Sequence, residues 1–370
     1  MAHVPSPAPD APGDFEQRLA AAGVRGFWSM LADYEMFEPD NPESGAVWTY
    51  RDYRELAHRA LGEIPIEKAD RRNLFFSNPG LPGSGTITQR LLGGVQAVNP
   101  GEVQSVHRHT AAATRVLLEG TGAFTTVNGG KCRLEYGDVV INPNGLWHES
   151  GNDGDLPVLW MDVLDLPFTK MLNANFFAND YAERVDSVMT PRTNQTVTGM
   201  TDRSAIAYGT AGGVRPSPVR AGNGHGSVQL LYKYASARTL LERLRGEAGS
   251  EHEGIAVEYY DPATGGPALR TLDVHLQLLR AGERTLPARQ TAGTVYCCLE
   301  GAGRTVIDGR TFVWGERDVF VVPGWSWRRH ESDAGDAVLC AVSDAPALRR
   351  LGLLVRERED AVGRVTREQD

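Results

Sequence analysis

The 370-residue chain is short of cysteine, of long apolar runs and of excess positive charge. Its four cysteines are Cys132, Cys297, Cys298 and Cys340, and no two form a C-x-x-C pair. That excludes a disulfide scaffold and a zinc ribbon, and leaves small buried hydrophobes in a reducing cytoplasm. No apolar run approaches the roughly 18 residues needed to cross a bilayer, so no membrane partner is expected. The formal net charge is −9, with no basic stripe interleaved with aromatics, which argues against nucleic acid. There is no G-x-G-x-x-G at a strand–helix junction and no P-loop, so no organic cofactor is expected. The opening "MAHVPSPAPDAPGD" has no basic segment followed by an apolar one. It reads as a disordered tail over residues 1–13, not a signal peptide, and the chain is expected in the cytoplasm.

What is present is glycine, proline and a repeat. The length predicts two or three domains. Residues 14–24, 27–35 and 50–64 have helical amphipathicity and make 14–80 a helical N-terminal region. From Asn78 onward glycine and proline become dense. Residues 86–165 then read as short Val/Leu/Ile/Thr strands broken by Gly, Asn and Asp, the pattern of an antiparallel sandwich or barrel. A second such stretch covers about 269–346. The two align at an offset of 180–181 residues: Gly101 on Gly282, Glu119-Gly120 on Glu300-Gly301, Asp138 on Asp318, Pro143 on Pro323 and Trp147 on Trp327. One β domain is therefore duplicated. The expected boundaries are 81–170 for the first domain and 269–350 for the second. Between them lies a connector, 171–268, with a helix over 236–248, and a tail, 351–370, follows.

The first repeat carries "GEVQSVHRHT" from Gly101. In a strand, His107 and His109 project from one face, roughly 7 Å apart. Two neutral imidazoles gain little from each other, but a metal between them would make both ligands. "GDVVINPNGLWHESGN" supplies a third, His148. Gly101, His107, His109 and Gly120, then Gly137, Pro143, Gly145, His148 and Asn152, resemble the two cupin motifs. The glutamate usual after three or four further residues is absent; Ala113 and Thr114 stand there, followed by Arg115. Three neutral ligands leave a divalent metal its full charge and up to three open positions. That disfavours closed structural zinc and favours Fe(2+) holding an anionic chelating substrate together with O2. In the second repeat Ala288, Gln290 and Arg328 replace the histidines, so no metal is expected there. His330, two residues beyond, is expected at a surface or interface.

A two-cupin chain with one equipped and one bare repeat resembles the gentisate 1,2-dioxygenase family, which includes salicylate and 1-hydroxy-2-naphthoate ring-cleaving enzymes. The resemblance runs over about 50–350, through "EKADRRNLFFSNPGL", "LEGTGAF", "WMDVLDLP" and "RQTAGTVYCCLEGAGRTVIDGRTFVWGERDVFVVPGWSW". It implies a mainly β bicupin fold: two antiparallel jelly-roll barrels behind a short helical N-terminal region. It also implies Fe(2+) on His107, His109 and His148, an aromatic acid and O2 as substrates, ring cleavage between the carboxyl- and hydroxyl-bearing carbons, and a homodimer or homotetramer. Arg115 and Asp162 are the implied catalytic residues.

Arg115 falls where the family has an arginine facing the substrate carboxylate. By strand alternation it shares the interior face with His109 and needs an anion: either that carboxylate or an Asp or Glu of the protein. Arg71 or Arg72 resembles a second pocket arginine, with a solvated surface charge the other reading. Gly94 and Gln96 match the first pocket strand, and Leu92 replaces an aromatic of some members. Asp162 and Asp165 either touch a ring substituent or help hold the fold. Ser150 stands where the family commonly has a histidine. That shifts the expected substrate from gentisate toward a substituted salicylate, an aminobenzoate or a 1-hydroxy-2-naphthoate analogue. Two other classes remain: a metal-cupin isomerase or decarboxylase, which would normally want the missing glutamate, and a non-catalytic binding cupin.

Overall fold

The computed structural model describes residues 13–179 and 229–370. The expected tail up to residue 12 and the 180–228 part of the connector lie outside the described residues. Residues 13–41 belong to a small unit of their own. Its helices Asp14–Ala21 and Leu31–Tyr34 bury no side chain, and Phe15 stacks on Trp28.

The body, Pro42–Asp370, is mainly β. Its first strands are β1 (Ala46–Trp48), β2 (Asn73–Phe75), β3 (Leu92–Val98), β4 (His107–His109), β5 (Ala113–Glu119) and β6 (Ala123–Val127). There follow β7 (Gly130–Arg133), β8 (Val139–Asn142), β9 (His148–Asn152), β10 (Val158–Leu164) and β11 (Phe177–Asn179). The later strands are β12 (Leu231–Tyr232), β13 (Ile255–Tyr259), β14 (Asp273–Leu279), β15 (Ala288–Gln290), β16 (Thr294–Glu300) and β17 (Gly303–Ile307). The last are β18 (Arg310–Trp314), β19 (Val319–Val322), β20 (Arg328–Ser332), β21 (Ala337–Ser343), β22 (Val355–Glu359) and β23 (Val365–Gln369).

Sheets β12-β8-β5-β10-β3-β2 and β11-β4-β9-β6-β7 face each other as the first barrel. Sheets β1-β19-β16-β21-β14-β13 and β18-β17-β20-β15-β22-β23 form the second. Matching hairpins show the duplication at backbone level. Asn128-Gly129 closes β6–β7 and Asp308-Gly309 closes β17–β18, all four residues at positive φ. Two-residue loops of this kind match the right-handed strand twist, which is why Asn-Gly and Asp-Gly sit there.

The two halves exchange arms. β1 pairs with β19 of the second barrel, and β12 pairs with β8 of the first. Each arm leads into a helix, Tyr50–Glu63 or Tyr234–Leu244. Tyr50 N–H donates to Asp318 of the second barrel, while its hydroxyl and Arg54 reach Glu119 of the first. The other arm mirrors this: Tyr234 N–H donates to Asp138, and Tyr234 and Arg238 reach Glu300. The second helix starts two residues before the sequence-based expectation. Its first turn is fixed by these cross-barrel bonds, which local amphipathicity does not register.

A further crossing uses the residue after β10 and the residue after β21. Asp165 accepts from Ala112 N–H in the first barrel and from the Thr271 hydroxyl just ahead of β14. Asp344, its counterpart, accepts from Gly293 N–H and from Arg90 just ahead of β3. The four cysteines are free and buried, as expected.

Asp165 yields a prediction. Burial pushes its carboxyl from the ordinary 3.8 up to about 6, because two neutral donors do not replace the lost water. A folded pKa above the unfolded one means the stabilising contribution is complete below about pH 4 and disappears as pH rises through about 6. Asp165→Asn keeps the acceptor for Ala112 N–H and removes the charge. Its melting temperature should match wild type near pH 4 and exceed it above pH 7, the gap corresponding to at most about 3 kcal/mol. A gap that is constant with pH would show that Asp165 is not the titrating group.

Candidate metal centre and aromatic-acid pocket

The three histidines converge as their motifs predict. β4 presents His107 and His109, and the register of β4 on β9 sets His148 directly opposite His107. Their ligand nitrogens all lie within 4.8 Å of one another. Each Nδ1–H donates to a backbone carbonyl two residues away along the chain: His107 to Ser105 at 2.9 Å, His109 to Ala111 at 2.7 Å, His148 to Leu146 at 2.9 Å. A ring nitrogen facing a carbonyl must carry the proton, so each Nε2 lone pair is free and aimed at the common centre. Burial keeps the rings neutral, holding His107 well below its ordinary range and His148 down at about 3. Neutral imidazoles fixed in this tautomer fit a divalent transition metal.

β11 is the edge strand beside β4. Phe177 pairs with His109 and stacks on His107 with ring centroids 5.6 Å apart. Arg71 lies over Phe177 at 5.5 Å and bonds Asp70 through Nη2 at 2.6 Å, while its buried Nη1 has no protein partner. Burial lowers its pKa, with Asp70 opposing. Arg72 points elsewhere: Glu102 takes it bidentately at 2.6 and 2.9 Å, and Ile64 O accepts from Nε. The structure thus separates the two neighbours: Arg71 lies beside Phe177, and Arg72 is bound by Glu102.

Arg115 faces the interior, where either a substrate carboxylate or a carboxylate of the protein was expected as its anion. Asp162 takes Nε at 2.8 Å and Nη2 at 3.1 Å; Thr125 takes Nη1 at 2.9 Å, Ser150 shares Nη1, and Gln96 takes Nη2 at 3.3 Å. Trp160 covers it at 4.3 Å. All five N–H donors therefore have protein acceptors, because Asp162 lies directly opposite on β10. The ion-pair reading is the one the geometry realises. Ser150, on the face turned to the metal as alternation predicted, spends its oxygen on Arg115 and Thr125. Gln96 Oε1 also accepts from Trp160 Nε1 at 2.9 Å, which leaves its buried Nε2 without a partner. Gly94 owes its identity to β2: a Cβ there would lie 2.5 Å from Leu74 O. Leu92 is buried at the end of the same strand.

Sequence reasoning passed over Phe177, Thr125 and Asn142. Strand alternation could have found Thr125 and Asn142. Nothing local marks Phe177, because its place depends on the pairing of β11 with β4, which is distant along the chain.

The second barrel is filled. Where the first has Arg115, Val140 and Leu134, it has Tyr296, Phe320 and Trp314, fully buried and stacked in sequence with centroids 4.8 and 5.8 Å apart. Arg328 stands opposite Ala288 as His148 stands opposite His107. It is held by Glu253 and by Tyr296 Oη at 3.1 Å. His330 is a correction: it is wholly buried against Tyr296, with Thr305 on Nδ1 at 2.8 Å, because β20 turns that residue inward.

A cupin-domain family profile matches residues 94–164. Gentisate 1,2-dioxygenase 1 of Aquipseudomonas alcaligenes is 33% identical over 92% of this chain and 94% of its own. The 5-aminosalicylate 1,2-dioxygenase of a Comamonas species is 31% identical over 93% and 90%. The crystal structure of salicylate 1,2-dioxygenase from Pseudaminobacter salicylatoxidans superposes with a TM-score of 0.84 at 27% identity, covering 96% of this chain and 99% of that one. With two jelly-roll repeats, one three-histidine centre and this likeness along almost the whole length, the chain belongs to the gentisate and salicylate 1,2-dioxygenase family of bicupin ring-cleaving enzymes.

Proposed function

We propose that the chain is an Fe(2+)-dependent dioxygenase. It would open the ring of a hydroxylated aromatic acid of the salicylate type between the carboxyl- and hydroxyl-bearing carbons. Both atoms of O2 enter a ring-opened dioxo acid. The observation that carries this reading is the juxtaposition of three neutral, tautomer-fixed histidines with a buried arginine N–H that no group among the described residues satisfies. It is supported by relatives named for gentisate and 5-aminosalicylate, and by a solved relative bound to gentisate. His107, His109 and His148 would hold the iron, which supplies a place where acid and O2 meet and electron density passes between them.

The protein's own residues bind and orient. Arg71 Nη1 donates to the substrate carboxylate. Gln96, its oxygen pinned by Trp160 and Arg115, offers Nε2–H to a second oxygen of the acid. Arg115 and Asp162 form a fixed ion pair on the interior face, and their part is to hold Gln96 and Ser150 in place. Phe177 covers the histidines and excludes stray water. Ser150 cannot relay a proton near neutral pH as an imidazole could; it fixes Arg115. The enzyme works in the cytoplasm as a homo-oligomer.

Two predictions follow from this reading. Metal analysis should find about one iron per chain, lost in His107→Ala and in His148→Ala, since two neutral ligands hold Fe(2+) poorly. Retention of iron in both variants, or two irons per chain, would refute the assignment. The two arginines should also separate. Arg71→Ala should lose kcat/KM by on the order of 3 kcal/mol with little change in melting temperature. Arg115→Ala strands Asp162 and should cost about 3–5 kcal/mol of stability as well. If Arg71→Ala retains near-normal turnover, another group binds the carboxylate.

A further inference from the structure

The duplication gives each interior position of the first barrel an internal control in the second. Most polar positions of the first barrel have a partner or an obvious structural task. Asn142 has neither. It ends β8 in register with Ala113, and Val140, two residues back, pairs with Arg115. Alternation along β8 therefore turns Asn142 to the same interior face as Arg115. It is 3% exposed, and its Oδ1 is buried with no hydrogen-bond partner among the described residues. The row it belongs to runs across the sheet through Ala113, Leu164 and Leu92, all apolar. Beyond it the chain turns so that Gly145 N–H donates to His109 O at 2.8 Å, which ties this end of β8 to the ligand strand.

The equivalent residue of the second barrel is Val322. It ends β19 in register with Thr294 as Asn142 ends β8 in register with Ala113, and it is buried to the same degree. The fold thus accepts a valine at this place. An unpaired buried amide oxygen costs stability, and no group among the described residues compensates for it. The barrel that keeps an amide here is the one with the three histidines; the barrel that carries valine is the one filled by its own aromatics.

We infer that Asn142 is a specificity residue of the first barrel, its amide oxygen accepting a hydrogen bond from a hydroxyl or amino substituent on the bound aromatic ring. The inference rests on the ring-cleavage reading above. An acceptor lone pair attracts N–H and O–H and repels the oxygens of a nitro group, so the site favours donor-bearing salicylates over unsubstituted and nitro-bearing ones. The apolar row beside it accommodates the ring.

The test is Asn142→Val, the residue the second barrel already carries. Dissociation constants of salicylate and of its hydroxyl-, amino- and nitro-substituted forms are measured without oxygen on the iron-loaded full-length proteins. Metal content and the melting temperature of the metal-free proteins are measured in parallel. The preference for hydroxyl- and amino-substituted acids over salicylate should fall about tenfold in the variant. Iron per chain should stay the same, and the melting temperature should rise as the unpaired amide is removed. Unchanged preferences overturn the inference. So does loss of iron, which would make Asn142 part of the metal site, or a lowered melting temperature, which would make the amide structural. If wild type binds none of these acids, the ring-cleavage reading itself has failed, and the inference falls with it by a different observation.

Discussion

The pocket is organised around one buried ion pair, Arg115 with Asp162, both almost without solvent. Removing two charges from water is expensive, and such a pair is tolerable only when every donor and lone pair finds a partner. Here that demand draws residues from both sheets: Gln96, Trp160 and Asp162 from one, Thr125 and Ser150 from the other. The result fastens the floor of the first barrel. It also decides what is left over. With Arg115 fully engaged and Arg72 held by Glu102, Arg71 keeps a donor with no partner among the described residues. With Gln96 Oε1 occupied, only its Nε2 faces an unfilled need.

The same backbone run twice in one chain shows how a barrel is opened or closed by a few side chains. Arg115, Val140 and Leu134 become Tyr296, Phe320 and Trp314, and aliphatic volume gives way to an aromatic stack. Arg328 then takes the place of His148, with Glu253 as its counter-charge. A guanidinium there repels cations and fills the space that His148 occupies in the first barrel. The two halves are fastened to each other: β1 and β12 trade places between them, and Glu119 and Glu300 receive the arm helices. Fastening in both directions makes the pair of barrels one packing unit, and the three-histidine centre is held in a frame larger than its own repeat.

How much of this was legible beforehand depended on the range of the interactions. The metal ligands were readable because they lie on one strand at a spacing of two, plus a third residue inside a recognisable turn motif. Strand alternation settled which way they faced, and also which way Arg115 and Ser150 faced. The fate of Arg115 was not readable, because a carboxylate of the substrate and Asp162 satisfy a guanidinium equally well until the register of β10 on β5 places one of them opposite. The same holds for Arg71 and Arg72: neighbours in sequence point apart, and only the position of Glu102 shows which is consumed. His330 was misplaced because its counterpart in the motif is a ligand-adjacent position, while its own surroundings are the aromatic filling of a closed barrel.

The sequence by itself therefore determined the mainly β class, the duplication, the three-histidine centre and the loss of that centre in the second repeat. These are all set by local period, turn chemistry and motif spacing. Only the tertiary structure decided which arginine has a free donor, what closes the second barrel, how the arms cross, and that an amide with no partner sits where the sister barrel has a valine. Each of these depends on what stands across a sheet or across the barrel, and a partner that is distant along the chain leaves no mark on the residues beside it.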